Sequence, residues 1–206
     1  MKLTFLPLGS LRQWHWMSSA LCLAGMLLFT ATGITLNHAG QIEARPSVEY
    51  IEQVVPDEVL TLLLQHHALD NPDQTALPAP VRAWLNEHLN ISVSNRIAEW
   101  SEEEIYLAMP RPGGDAWLSI DLATGELIYE NTSRGVISYL NDLHKARHTG
   151  LAWSWFIDLF AAVCLVFCIT GLLLLVRQQS ARPTTWPATA LGLLIPVLIA
   201  LLFVHQ

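Results

Sequence analysis

Histidine is the residue type in this sequence whose positions could support chemistry. Three histidines, His38, His144 and His148, stand beside the ends of long apolar stretches. Haem iron takes axial imidazoles on its two faces in an apolar slot, and we expect His38 to pair with either His144 or His148 in this way. Neutral imidazoles also bind copper or zinc, and the i, i+4 spacing of His144 and His148 suits two ligands on one helix face. Haem b, a metal ion and simple capping of helix ends are therefore all open.

His15 and Asp158 are two further polar residues near the apolar stretches. His15 lies 23 residues before His38, roughly 34 Å along a helix, so the two cannot bind one iron. Two copies of His15 in a symmetric homodimer could do so, and packing at the membrane interface is the alternative. A lone carboxylate inside a bilayer is costly, so we expect Asp158 to pair with Lys145, Arg147 or a neighbouring histidine, whose ring it would then orient. The alternative is that Asp158 snorkels outward as an anchor.

Three apolar stretches must position these side chains. They cover residues 17–36, 152–176 and 186–204, and a helix needs about 20 residues to cross a hydrocarbon core ~30 Å thick. The first stretch could instead be a cleaved signal peptide, but its apolar run is longer than is usual for one. We therefore predict three transmembrane helices in a lipid bilayer, with His205 at the end of the third.

The distribution of charge predicts the orientation of these helices. Of the 18 Asp and Glu residues, all except Asp158 lie from Gln41 to Asp142. The segments 1–16 and 177–185 carry only Lys and Arg as formal charges. By the positive-inside rule both segments are cytoplasmic, which predicts a multi-pass protein of a bacterial-type inner membrane with a periplasmic central domain and C-terminus. The negative charge of that domain argues against nucleic acid as a partner.

The residues between the first two spans predict a small α+β domain. Apolar residues from Val48 to His67 recur at near-helical spacing, and Pro56 with Asp57 can start a helix there. Residues 81–89 predict a short helix, and a period of two from Ile91 onwards predicts an antiparallel sheet. Gly125 suits the turn of a strand–turn–strand motif.

The fold class is therefore an α-helical membrane protein with three transmembrane helices and a small α+β domain between the first and second. Residues 136–151 form an amphipathic segment at the membrane interface. The predicted segments are 1–16, 17–36, 37–135, 136–151, 152–176, 177–185 and 186–204.

Four short motifs add a family resemblance. They are Asn37-His38, DLATGE over residues 121–126, DLHKARHTG over residues 142–150, and WSWFID over residues 153–158 followed by Thr170-Gly171. Together they resemble the PepSY-associated transmembrane family, in its short three-span branch. The resemblance implies a PepSY-like domain. Longer relatives include inner-membrane ferric-siderophore reductases that carry haem b between histidines of their helices, so it also implies a haem-binding redox role.

Two functions follow from these observations. In the first, the protein is a haem-binding redox component that reduces periplasmic iron, such as a ferric siderophore. In the second, a non-enzymatic PepSY-like module, anchored by the spans, binds or regulates a periplasmic protein partner. The sequence has no phosphate-binding glycine-rich loop, nucleophile elbow or His-Glu-x-x-His pair, and no nicotinamide or flavin motif. An electron donor must then be external, and whether the protein is an enzyme stays open.

Overall fold

The computed structural model describes residues 9–43, 45–70, 74–178 and 183–204. His205 lies outside the described residues, as do parts of the predicted segments 1–16 and 177–185. The chain divides into two compact units: one is Met1–Leu28 with Trp155–Gln206, and the other is Phe29–Ser154.

The elements alternate between helices and strands only in the second unit. In chain order they are α1 (Leu11–Asn37), β1 (Ser47–Val54), α2 (Asp57–Asp70), β2 (Gln74–Ala76), α3 (Ala79–Leu89), β3 (Ile97–Trp100), β4 (Glu104–Ala108), β5 (Gly114–Asp121), β6 (Glu126–Ser133), α4 (Gly135–His144), α5 (Leu151–Gln178) and α6 (Thr185–Ile199), which continues as a π-helix over Ala200–Val204.

Three helices are long and apolar enough to cross a membrane. They are α1, α5 and the continuous helix Thr185–Val204. Many of their large apolar side chains, such as Leu21, Leu159 and Leu193, are exposed, as is expected of surfaces that contact lipid rather than water. The prediction of three apolar helices is confirmed, and the protein is a multi-pass membrane protein.

Small residues bring α1 and α5 together in the first unit. An added Cβ at Gly25 of α1 would collide with the ring of Phe160 on α5. At Gly171 of α5, an added Cβ would lie 3.1 Å from Cε1 of His15. Ser18 and Cys22 of α1 are buried. Close approach at small residues is a common way for helices to pack in lipid.

The second unit contains one six-stranded sheet, in the order β1-β6-β5-β4-β3-β2 with every neighbouring pair antiparallel. Successive side chains of a strand point to opposite faces, and the apolar ones on one face are buried with those of α2 and α3. This core includes Val59, Leu63, Val81, Leu85, Ile105, Leu107, Leu118, Ile120 and Leu127. The predicted α+β domain with an antiparallel sheet is confirmed.

One part of the prediction is wrong, because Ser47–Val54 forms a strand and not a helix. All eight residues of β1 pair with β6. Ile51 packs against the core, whereas Val48, Tyr50 and Val54 are exposed on the other face. Apolar residues on both faces of a strand imitated helical spacing. The predicted helix start is confirmed, since α2 begins at Asp57.

The turn between β5 and β6 is built as the sequence predicts. Gly125 has a φ of +71°, which costs glycine little. Asp121 accepts hydrogen bonds at Oδ1 from the backbone N–H of Ala123 (2.9 Å) and of Thr124 (2.7 Å), and from the Thr124 hydroxyl (2.9 Å). These bonds, the backbone one from Thr124 most, lower the pKa of Asp121 because they favour its charged form.

Candidate functional site

The last residues of α4 bond to three other parts of the second unit. Asn141 accepts at Oδ1 from the Thr35 hydroxyl of α1 (2.6 Å), and Asp142 accepts at Oδ2 from the backbone N–H of Gly113 (2.8 Å). The carbonyl of Leu143 accepts from Nε1 of Trp153 (2.9 Å). The fourth residue, His144, bonds to α1 as well. We call residues 141–144 the clasp, because four consecutive residues tie α4 to α1, to the sheet and to the start of α5.

Burial makes the clasp costly to break. Asn141 is 8% exposed and Asp142 is 6% exposed. Gly113 has a φ of +70°, and an added Cβ there would lie 2.7 Å from the Cα of Tyr139, so α4 rests directly on this glycine. A buried polar group that loses its partner costs about 1–3 kcal/mol. The clasp therefore fixes α4 firmly against the loop before β5.

The ring of His144 is held by a hydroxyl of α1. Its Nδ1 lies 2.6 Å from Oγ1 of Thr32, a buried residue of α1. The same hydroxyl donates to the Phe29 carbonyl at 3.2 Å. A threonine hydroxyl has one proton to donate, and with that proton directed to the Phe29 carbonyl the hydroxyl accepts from Nδ1–H of His144. The lone pair of His144 is then on Nε2. The ring is half-buried, 4.8 Å from that of Phe29.

His38 has the same tautomer for a similar reason. Its Nδ1 lies 3.0 Å from the carbonyl oxygen of Ile34, one turn back along the chain. A carbonyl oxygen only accepts, so Nδ1 donates and Nε2 carries the lone pair. The ring is exposed. Both His38 and His144 are thus tied through Nδ1 to the last two turns of α1, with Nε2 available to a ligand.

The structure separates His148 from this pair. Helix α4 ends at His144, and Ala146 and His148 have φ values of +54° and +57°. His144 and His148 therefore do not share a helix face, and the i, i+4 spacing predicted for them does not apply. His148 is exposed. Within the described residues, no group of three or more His, Cys, Asp and Glu side chains is placed to hold a metal ion.

Asp158, the predicted support for an imidazole, lies on α5 and is exposed. Lys145 and Arg147 are exposed too. The role of Asp158 beside a histidine stays a prediction.

His15 has a contact set of its own in the first unit. Its Nδ1 lies 3.1 Å from the Thr170 hydroxyl and 3.3 Å from the Phe167 carbonyl of α5. Its ring stacks on that of Phe167 with centroids 4.8 Å apart. The Thr170 hydroxyl donates to Val166 O at 2.7 Å, so it accepts from His15 and again leaves the lone pair on Nε2. This packing against α5 matches the alternative predicted for His15.

Sequence reasoning found the histidines and missed the residues that orient them. Thr32, Thr35 and Thr170 lie in apolar helices, where a hydroxyl usually bonds its own helix backbone. The signal present in the sequence is a hydroxyl within an apolar run, whereas its partner, an imidazole or an amide, depends on how the helices meet.

Comparison with known proteins adds one match. The family model described as PepSY_TM-like matches residues 6–205, which is nearly the whole chain. No curated protein and no solved structure matches it.

Proposed function

The chain belongs to the PepSY_TM-like family, and we propose that it is a haem-binding redox component of the inner membrane that reduces periplasmic iron. The observation that carries this proposal is that His38 and His144 are both hydrogen-bonded through Nδ1 to α1. The Nδ1 atom of each lies within hydrogen-bond distance of an oxygen of α1, Oγ1 of Thr32 for His144 and the carbonyl of Ile34 for His38. A proton on Nδ1 in both rings leaves each lone pair on Nε2 for a ligand. Ligating histidines almost always donate their other ring N–H in this way.

We propose that this pair of histidines holds one haem b. Two imidazoles, those of His38 and His144, would hold the iron through Nε2, with His148 as the alternative to His144. The ring of Phe29 beside His144 supplies an apolar surface of the kind that a haem slot needs. When bound, haem supplies a one-electron couple at its iron, and electrons come from an external donor. Ferric siderophores are the class of acceptor that we propose.

Single substitutions test the two ligands. His144→Ala and His38→Ala should each abolish haem retention in the detergent-purified protein, because each removes an axial imidazole. His88→Ala is the matched control, since His88 lies on α3 and its Nδ1 bonds the Trp84 carbonyl in the same manner as His38. Unchanged haem content in both His38→Ala and His144→Ala would refute the ligand assignment.

A second candidate function is a non-enzymatic module that binds or regulates a periplasmic protein partner. The observation that favours it is the clasp, because buried polar bonds join the α+β domain to the end of α1 and the start of α5. These bonds hold the domain to the segments through which the chain enters and leaves it. Periplasmic placement of this surface is part of the proposal and follows from the distribution of charge.

Cross-linking in intact cells tests the second candidate. A photo-reactive residue placed at Ile97, an exposed position of β3, should form an adduct with one identified protein, and the purified pair should then bind. The same residue placed at Leu62, an exposed position of α2, serves as the control for random collision. Equal adducts from both positions, or none from either, would count against a partner.

A further inference from the structure

One face of the sheet has no cover in the part of the chain that the structure describes. Helices α2 and α3 pack on the other face. Cross-strand pairing shows which side chains share the open face, which we call the outer face. One row across it is Glu52, Ile128, Ser119, Tyr106 and Glu99, and the next is Tyr50, Glu130, Trp117 and Ala108.

The outer face carries exposed apolar and aromatic side chains, although contact with water is unfavourable for them. Val48, Val54 and Ile97 are 57%, 67% and 63% exposed. The ring of Tyr106 stacks on that of Trp117, with centroids 6.2 Å apart and planes 27° apart. Val48 and Val54 lie on the edge strand β1 and Ile97 lies on β3, so exposed apolar side chains occur toward both edges of this face. Exposed apolar surface is typical of interaction sites, and aromatic residues are enriched where proteins bind each other.

Charge on the outer face has one sign. The six strands contain no Lys or Arg. Their acidic residues on this face are Glu52, Glu99, Glu104, Asp115, Asp121, Glu126 and Glu130. Arg134, just after β6, pairs with Asp115 at 3.0 Å. The remaining carboxylates face solvent as a group.

The carboxylates near Tyr50 affect the ionisation of its phenol. Its hydroxyl donates to Oε2 of Glu52 at 3.0 Å. That bond, followed by desolvation and by the charges of Glu52, Glu126 and Glu130, raises the pKa of Tyr50. Glu52 of β1 and two carboxylates of β6 therefore act together on one phenol at the β1 edge of the outer face.

We propose that the outer face docks a basic segment of a partner protein, with lysine or arginine side chains that alternate with apolar ones. Alternation would place cations against the carboxylates and apolar side chains against Val48, Val54 and the Tyr106–Trp117 pair. Arginine and lysine also bind the faces of aromatic rings. This inference rests on the second candidate function and does not depend on haem.

Charge complementarity selects this occupant over the others. A second copy of the chain would set carboxylates against carboxylates, and like charges across an interface are destabilising. Anionic lipid headgroups and nucleic acid would be repelled for the same reason.

A peptide probe tests the proposal on the full-length protein in detergent. The probe is a fluorescein-labelled peptide of alternating lysine and valine with one tryptophan, and its counterpart replaces each lysine with glutamate. Fluorescence anisotropy should show that only the lysine peptide binds. The double variant Glu52→Gln and Glu130→Gln should weaken binding of the lysine peptide about tenfold. It removes two charge-paired contacts, and each contributes part of the roughly 1.4 kcal/mol that a tenfold change represents.

The matched control removes the same charge elsewhere. Glu49 bonds Asn131 on the helix side of the sheet, and Glu58 lies on α2, so Glu49→Gln with Glu58→Gln should leave the affinity unchanged. Equal weakening by both double variants would show attraction to net charge alone and would overturn the proposal. Equal binding of both peptides, or binding of neither, would overturn it as well. Haem content measured on the same samples keeps this outcome separate from that of the redox proposal.

Discussion

The hydroxyl of Thr32 bonds Nδ1 of His144 and so orients the ring, with Nε2 as the nitrogen that can bind a ligand. Thr32→Val keeps the shape of the side chain and removes that acceptor. The imidazole would lose its orientation, and loss of such a supporting bond typically weakens ligand affinity 10–100-fold. We predict a loss of haem affinity of this size, measured by the rate at which the protein transfers its haem to apomyoglobin.

Thr61→Val is the control for this substitution, because the Thr61 hydroxyl bonds the Asp57 carbonyl in α2, within the soluble part. If Thr32→Val holds haem as tightly as the unmodified protein, the hydroxyl has no part in ligand binding.

The sequence indicated which residues could bind a ligand, but it did not indicate which groups hydrogen-bond to them. It indicated His38 and His144 because imidazoles near apolar stretches are few. Their hydroxyl and carbonyl partners are common groups, and only the approach of α4 to α1 brings Thr32 to His144. His148 was included because the run from Asp142 was expected to stay helical, whereas Ala146 adopts a positive φ and ends the turn.

The clasp is the element that joins the soluble and apolar parts of the second unit. Asp142→Ala would leave the buried N–H of Gly113 without its acceptor, at a cost of about 1–3 kcal/mol. We predict that the thermal midpoint of the domain falls by several degrees. Circular dichroism of the protein in detergent measures this midpoint.

Asp115→Ala provides the comparison, since Asp115 is an exposed acid whose ion pair with Arg134 is worth at most about 1 kcal/mol. Equal midpoints for the two variants would mean that the Asp142 bond does not hold the domain.

The turn between β5 and β6 gives a prediction about pH. The pKa of Asp121 is lowered in the folded protein, so its contribution to stability is present above the unfolded value of about 3.9 and is lost as pH falls through the folded pKa. Asp121→Ala should therefore lower the thermal midpoint near neutral pH, and the difference from the unmodified protein should shrink in strong acid.

Glu87→Gln, at an exposed position of α3, should show no such change with pH. A difference for Asp121→Ala that stays constant from neutral to acidic pH would contradict the linkage.

Elements with clear turn chemistry were predictable, and strands with two apolar faces were not. Gly125 and the start of α2 at Asp57 follow from backbone rules. Strand β1 imitated a helix because its outer face is apolar at Val48, Tyr50 and Val54. Strand β2 has only three residues, too few to show a period.

For the whole molecule, charge predicts orientation, and labelling can test it. The native cysteines are in α1 and α5. A cysteine at Ala123, an exposed turn residue, should react with a membrane-impermeant maleimide in cells with a permeable outer membrane. A cysteine at Gln178, the last residue of α5, should react only after the inner membrane is opened. The reverse pattern would invert the topology.

The three-span architecture was readable from the sequence because about 20 apolar residues in a row have few other uses. The buried bonds between distant segments, such as Thr35 with Asn141, were not readable, since they depend on how α4 meets α1. Family membership was readable from short motifs and agrees with the match over residues 6–205.

The most direct test of the central claim is a dithionite-reduced minus oxidised visible spectrum of the detergent-purified protein, with a pyridine haemochrome assay and metal analysis on the same sample. The account predicts a sharp b-type α band at one haem per chain, absent from His144→Ala and retained in His88→Ala. A colourless protein would contradict the redox proposal and leave the anchored binding module.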